Sequence, residues 1–188
     1  MRIISGTAKG RKLISPKTWN VRPTADQVKE SLFNIIAHNS GFHNKSFLDL
    51  FAGTGNIGIE ALSRGVSHAV FVEKDKRNAK IILENLTNLG FANQAEILKV
   101  DAVVGIKLLG RKKKKFDFIF LDPPYKQGLI NPTLVAIEKV DIINPSGMII
   151  IEHHRDEQLE EKFGKFVMFD QRTYGSTQIS FYTELVGE

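Results

Sequence analysis

The segment 46–58, SFLDLFAGTGNIG, constrains the fold more than any other part of the chain. It begins with the apolar run Phe47–Phe51, which is typical of a β-strand. Glycines at positions 53, 55 and 58 then follow in the spacing G-x-G-x-x-G. Glycine allows a tight turn and a close approach of the backbone to a ligand. A strand followed by this turn and a helix start therefore predicts a nucleotide-type binding loop in an α/β sheet.

The rest of the chain repeats the same alternation. Further apolar runs are followed by segments of helical periodicity: the runs are 69–72, 96–100, 116–121 and 148–151, and the helical segments 57–64, 76–89 and about 129–140. Runs such as FIFL and MIII lack polar alternation, as expected for strands covered on both faces. The pattern predicts an α/β fold with a mostly parallel, doubly wound sheet and helices on both faces. Residues 166–171 and 178–182 instead alternate around Gly175-Ser176, which predicts an antiparallel C-terminal hairpin.

The N-terminal residues have a different character. Segments 2–5 and 11–14, joined around two glycines, predict a short basic β-hairpin. A helix is predicted to begin at Thr24, because Thr24 and Gln27 have capping-box spacing. We therefore expect residues 1–23 to form a basic hairpin or arm, and residues 24–188 to form the α/β domain.

Acidic residues follow three strand ends and indicate which ligand the glycine loop binds. Glu73 ends the second strand, where a carboxylate accepts hydrogen bonds from ribose hydroxyls, and Asp101 follows the third, within reach of an adenine amino group. Asp49 precedes the first glycine by four residues. A carboxylate there disfavours the pyrophosphate of NAD but suits the cationic amino group of S-adenosylmethionine. No G-x-x-x-x-G-K-[ST] loop for ATP occurs in the sequence.

A second motif, Asp122-Pro123-Pro124-Tyr125, ends the strand 116–121. The two prolines end the strand rigidly and leave carbonyl groups free. Asp122 and the Pro123 carbonyl can accept both hydrogens of an exocyclic amine, while Tyr125 offers a face on which a base can stack. This arrangement would aim the nitrogen lone pair at a methyl donor and stabilise the developing positive charge. The motif therefore predicts catalysis of methyl transfer to an amine.

The positive charge is concentrated at the N-terminus. The formal net charge is +5, and residues 1–30 hold seven basic and two acidic residues, so the remainder is neutral. Such asymmetry favours a polyanionic partner, most often nucleic acid. We expect Arg11, Lys12 and Arg22 to bind RNA phosphates, with Thr24 at the substrate side of the site. The basic run 111–115 precedes the catalytic strand at the end away from the site, so we expect a solvated loop there.

Composition excludes several other classes of site. The chain has no cysteine, which removes disulfides, thiolate metal sites and thiol nucleophiles. His153 and His154 are adjacent and lack further ligands at metal spacing, so we expect no metal. The first residues contain no apolar secretory region and no run is long enough to span a bilayer. We therefore expect a cytoplasmic protein without membrane contact.

Taken in order, DLFAGTGNIGIEALSRG, FVEKD, the Asp101 position and FDFIFLDPPY resemble a class I S-adenosylmethionine-dependent methyltransferase of the amino-methylating kind. The N-terminal RIISGTAKGRKL and RPTADQVKESLFNII narrow the resemblance to the RsmD family, with one departure, Lys29 in place of an arginine. The resemblance implies a seven-stranded Rossmann-like sheet, catalysis at Asp122–Tyr125 and methylation of guanine N2 in 16S ribosomal RNA. The implied partner is this RNA within the small ribosomal subunit or its assembly intermediate, and the protein is expected to be a monomer. The expected cofactor contacts are Asp49, Phe51, Gly53, Gly55, Glu73, Lys74, Asp101, Ala102 and Asp122.

Three other functions share part of this pattern. A DNA adenine-N6 methyltransferase would use the same tetrapeptide, but such enzymes usually carry a target-recognition domain for which 188 residues leave little room. An NAD-dependent oxidoreductase would use the glycine loop, although Asp49 and the tetrapeptide argue against it. A non-catalytic RNA-binding protein would not require an intact pair of motifs.

Overall fold

A central sheet organises the chain in the computed structural model, which describes residues 1–16 and 23–185. Eight strands lie in the order β3-β2-β1-β4-β5-β8-β7-β6. Strands β1 to β5 are parallel, and β8, β7 and β6 continue the sheet in antiparallel pairings. The strands are β1 Ser46–Asp49, β2 His68–Val72, β3 Ala95–Leu98, β4 Phe116–Leu121, β5 Ile143–His154, β6 Lys162–Phe163, β7 Phe166–Tyr174 and β8 Thr177–Glu184.

Helices cover both faces of this sheet. In the described part of the chain they are α1 Pro23–Asn39, α2 Asn56–Ser63, α3 Lys76–Leu89, α4 Ala102–Arg111 and α5 Ile130–Val140, with a 3-10 turn at Ala92–Gln94. Successive strand residues point to opposite faces. Accordingly, Phe47 packs in the apolar cluster with α1, α2 and α3, whereas Leu48 packs in the cluster with α4 and α5. The expected doubly wound α/β architecture with an antiparallel C-terminal hairpin is confirmed.

Three elements differ from the sequence expectations. Helix α4 was not anticipated, because AVVGIKLLGR is nearly apolar throughout and short enough to lack a clear period. Strand β5 begins at Ile143 rather than Met148, and its pairing with β4 shifts register around a stretch that contains Pro145 and Gly147. The sheet has eight strands instead of seven, because the two residues Lys162–Phe163 pair with β7 at the edge.

The expected N-terminal hairpin is present and is held against α2. Arg2 and Lys12 form an antiparallel bridge. The amides of Ile4 and Ser5 donate to the two carboxylate oxygens of Glu60, at 2.8 and 3.0 Å. Ile3 and Leu13 are buried in the same apolar cluster as α1 to α3. The hairpin therefore packs against α2, on the side of the sheet that α1, α2 and α3 cover.

Helix α1 begins at Pro23, one residue before the predicted start. The side chain of Thr24 and all of Arg22 lie outside the described residues, so the capping box and their RNA contacts stay predictions. The domain boundary expected at residue 23 also stays a prediction. None of the helices in the described ranges has the length and hydropathy that a membrane crossing requires.

Candidate active site

A cavity of about 720 Å³ opens at the carboxyl ends of the parallel strands and contains both sequence motifs. This is where open α/β sheets bind their ligands. The cavity brings together most of the predicted site residues: Asp49, Phe51, Gly53, Glu73, Lys74, Asp101, Ala102, Asp122, Pro123, Pro124 and Tyr125. Gly55 is the one predicted cofactor residue that does not line it.

Asp49, at the end of β1, is a buried carboxylate with an unused acceptor. Its side chain is 1% exposed and it lines the cavity. One oxygen, Oδ2, accepts from the Gly58 amide at 3.1 Å, whereas Oδ1 has no partner among the described residues. Burial, reinforced by the nearby charges of Asp122 and Glu73, raises the pKa of Asp49 to about 7. A ligand that brings a cation here would satisfy Oδ1 and offset the cost of burying this group.

The glycine turn and Glu73 form one hydrogen-bonded unit. The Gly53 amide donates to Glu73 Oε2 at 2.8 Å, and the Asp75 amide donates to Oε1 at 2.7 Å. Each carboxylate oxygen keeps a further lone pair for a ligand hydroxyl. Gly55 has φ of +82° at the start of α2, a conformation that favours glycine. Gly55 therefore shapes the turn rather than the cavity wall.

Asp101 and Ala102 form the wall beyond β3. Asp101 Oδ1 accepts from the Val103 amide at 3.0 Å and so caps the N-terminus of α4. Its carboxylate remains exposed at the cavity. The predicted contact with an adenine is thus compatible with a structural role as helix cap.

The tetrapeptide places Asp122 beside a second carboxylate that sequence reasoning did not single out. Leu121 on β4 pairs with Ile151 on β5, so Asp122 and Glu152 follow at the same level of the sheet. Both line the cavity. Asp122 keeps surface that is accessible from the cavity, yet protein surrounds it closely enough that burial raises its pKa. Burial also raises the pKa of Glu152, and repulsion by Asp122 raises it further.

Tyr125 stands at the mouth of the cavity. It is 41% exposed, and its ring meets that of His154 edge-on, with 5.7 Å between centroids. This contact leaves ring surface available for a stacked base. His153 is fully buried, with its Nε2 2.9 Å from Ser180 Oγ. In the ranges 1–16 and 23–185, no three His, Asp or Glu residues are grouped as a metal site would require.

Lys29 also lines the cavity. The sequence singled it out only because it stands where the family pattern has an arginine. Lys29 is 2% exposed. Its Nζ donates to the Arg2 carbonyl at 2.7 Å and to Asn56 Oδ1 at 2.9 Å, and lies 3.3 Å from Glu60. Its position one turn before Leu32 and Phe33, within an apolar helical stripe, is the signal that could have indicated burial.

Two of the basic residues expected to bind RNA, Arg11 and Lys12, lie outside the cavity. Arg11 and Lys12 are exposed, and Arg11 Nη2 donates to the Asn88 carbonyl at 3.0 Å. In the basic run 111–115, Lys112 and Lys114 pair with Glu96, and Lys115 pairs with Asp141. These pairs partly neutralise the run.

Comparison with known proteins agrees with this architecture. A family model described as "Conserved hypothetical protein 95" matches residues 1–183. The protein YlbH of Bacillus subtilis is 40% identical over 182 residues, which cover 97% of this chain and 98% of that protein. "Ribosomal RNA small subunit methyltransferase D" of Escherichia coli K12 is 30% identical over 182 residues, covering 97% and 89%. The solved structure of yhhF from Escherichia coli has a TM-score of 0.86 with 27% identity and covers 100% of this chain and 99% of that one. The chain belongs to the family that this model describes, the RsmD family of methyltransferases.

Proposed function

We propose that the protein transfers a methyl group from S-adenosylmethionine to the exocyclic N2 amine of a guanine in 16S ribosomal RNA. The observation that carries the proposal is that one cavity holds both the unpartnered carboxylate of Asp49 and the Asp122–Tyr125 tetrapeptide. Relatives named ribosomal RNA small subunit methyltransferase D support the substrate class.

The residues around the glycine turn fit S-adenosylmethionine. Asp49 Oδ1 would accept from its amino group, Glu73 from its ribose hydroxyls, and Asp101 from its adenine amine, while Phe51, Lys74 and Ala102 complete the wall. The cavity of about 720 Å³ is of a size that holds small-molecule ligands. S-adenosylmethionine supplies an electrophilic methyl carbon, whose bond to sulfur breaks as the bond to the amine nitrogen forms.

Asp122 and the Pro123 carbonyl position the amine. Accepting both of its hydrogens weakens the delocalisation of the lone pair into the ring and directs that lone pair at the methyl carbon. As the nitrogen becomes positively charged, Asp122 stabilises it. The surplus proton then passes to Asp122, whose pKa is raised by burial, or to water.

The RNA would approach across the N-terminal hairpin. Its target base must leave the helical stack to enter the cavity, where Tyr125 can stack on it. Arg11 and Lys12, with Arg22 and Thr24, would bind the flanking phosphates.

The direct test incubates the protein with isotopically labelled S-adenosylmethionine and small-subunit particles that lack ribosomal RNA methylation. Mass spectrometry of the digested RNA should identify labelled N2-methylguanosine at one position. Particles already methylated at that position should accept no label. Label in N6-methyladenosine, or none in RNA, would contradict the proposal.

A further inference from the structure

We propose that Glu152 selects guanine, by accepting a hydrogen bond from guanine N1–H while Asp122 holds the neighbouring N2 amine. The inference rests on the proposed function and names a specificity-determining residue within the same cavity.

The sheet register places the two carboxylates side by side. Leu121 and Ile151 are paired, so Asp122 and Glu152 are the next residues of adjacent parallel strands. Such neighbours lie about 4.8 Å apart in the backbone and send their side chains to the same face. Both side chains line the cavity, next to Pro123 and Tyr125. A base that offers its amine to Asp122 therefore also presents its adjoining ring atom to Glu152.

The protein itself supplies no donor to this pair. Among hydrogen bonds between described residues, none reaches the carboxylate of Asp122 or of Glu152, and neither forms a salt bridge there. The groups nearest Glu152 along β5 are used elsewhere, since His153 contacts Ser180 on β8. On β8, the residue opposite Glu152 is the apolar Ile179. Both carboxylates are reached from the cavity and have no donor from the protein, so a ligand with two adjacent donors would satisfy them together.

Guanine is the RNA base with two adjacent donors on its Watson–Crick edge, N1–H and the N2 amine. Adenine and cytosine each place a ring nitrogen acceptor beside their amine, and uracil has no amine. Above its raised pKa Glu152 is ionised, and an acceptor facing its carboxylate would then leave two lone pairs opposed. A site that reads a hydrogen-bond donor discriminates strongly against analogues that lack it.

The test compares two bases that carry the same reactive amine. Small-subunit particles are reconstituted with 16S ribosomal RNA that has either guanine or 2,6-diaminopurine at the methylated position. Diaminopurine retains the N2 amine but has an acceptor at N1. At a pH above about 8, where the Glu152 carboxylate is ionised, the wild-type protein should prefer guanine by at least about 100-fold in kcat/KM. Glu152→Gln, whose amide can donate to N1, should reduce the preference to about tenfold or less.

Matched controls separate recognition from structure. Glu161→Gln makes the same change at an exposed position outside the cavity and should keep the wild-type preference. If Glu152→Gln fails to fold by circular dichroism, Glu152→Asp takes its place and should retain the guanine preference at lower kcat/KM. An equal loss of rate on both bases in Glu152→Gln would overturn the inference while the proposed function stands. Where Glu152→Asp takes its place, equal use of diaminopurine and guanine by that variant would overturn it in the same way. Failure of the wild-type protein to methylate guanine N2 at all would instead refute the proposed function.

Discussion

At the scale of single residues, the site depends on carboxylates held where protein alone does not satisfy them. Asp49 has one oxygen hydrogen-bonded to the Gly58 amide and one without a partner among the described residues. Asp122 and Glu152 lie side by side at the cavity, and burial raises the pKa of both. Ionised carboxylates in such surroundings are destabilised until a cation or a donor arrives. This arrangement couples the binding of both proposed ligands to proton release.

Cofactor affinity should therefore fall with pH below about 7. Burial raises the pKa of Asp49 to about 7, and a bound ammonium group favours its ionised form. Below that pH the proton competes with the ligand, and the affinity for S-adenosylhomocysteine should decrease by up to about tenfold per pH unit. Calorimetry between pH 5.5 and 7.5 measures this slope.

The neighbouring acids Asp122 and Glu73 also raise the pKa of Asp49, so their contribution to the pH dependence needs a control. Asp49→Asn is that control, because it removes the Asp49 carboxylate and leaves the other two acids in place. This variant should bind more weakly at pH 7.5 and show a flatter pH dependence. An equally steep slope in Asp49→Asn would assign the effect to another group.

Asp122→Ala should separate binding from chemistry. Asp49, Glu73 and the glycine turn remain in place, so S-adenosylhomocysteine should bind within a few-fold of wild type. The single-turnover rate of methyl transfer should fall by about 10³-fold, since both the acceptor and the charge opposite the nitrogen are lost. A rate near that of wild type would remove Asp122 from the catalytic role.

At the scale of elements, a buried ionic network fixes the hairpin, α1 and α2 to one another. Glu60 is fully buried, accepts from the Ile4 and Ser5 amides, and pairs with Arg64 and Lys29. Lys29 in turn binds the Arg2 carbonyl. The basic hairpin is thereby set in a fixed orientation beside the cavity that Lys29 lines.

Glu60→Gln should loosen this attachment. It leaves the buried Lys29 without its counter-ion, and breaking a buried pair in this way typically costs about 3–5 kcal/mol. Urea denaturation should show a loss of this size in the free energy of unfolding. Glu84→Gln, at an exposed position of α3, should change it by less than about 0.5 kcal/mol. A loss in Glu60→Gln no greater than that of this control would contradict the network.

Neutralising the hairpin should weaken RNA binding in a salt-dependent way. Arg11→Gln with Lys12→Gln removes two exposed charges, and each phosphate contact contributes about 0.7–0.9 to the slope of log K against log salt. Filter binding to unmodified 16S ribosomal RNA should show a slope shallower by about 1.5.

Arg111→Gln with Lys113→Gln removes the same charge from the end of α4 and the loop that follows it, and should leave the slope unchanged. If both double variants behave alike, the hairpin is not a specific part of the RNA interface.

The sequence predicted elements well where local chemistry determines them. Strand β1, the glycine turn and Asp122–Tyr125 follow from patterns within a dozen residues. Helix α4 and the extension of β5 across Pro145 could not be predicted from local patterns, since packing against the sheet decides both. Glu152 could not be predicted as a neighbour of Asp122, because their proximity comes from the pairing of Leu121 with Ile151, residues 30 positions apart. The apolar stripe of α1 could have indicated that Lys29 is buried, but its ion pair with Glu60 in another helix could not be predicted.

At the scale of the whole molecule, the parallel sheet brings together segments distant in sequence. The glycine turn after β1, Glu73 after β2, Asp101 beyond β3, Asp122 after β4 and Glu152 near the end of β5 all line one cavity. Parallel connections place all these strand ends at one edge. In the proposed function, a methyl donor at the first three positions would therefore face the acceptors at the last two.

A crystal structure of the protein with S-adenosylhomocysteine tests this geometry most directly. The amino group should lie within hydrogen-bond distance of Asp49 Oδ1, the ribose hydroxyls should contact Glu73, and the sulfur should face Asp122–Tyr125. A ligand bound outside this cavity, or with its sulfur turned away from the tetrapeptide, would contradict it.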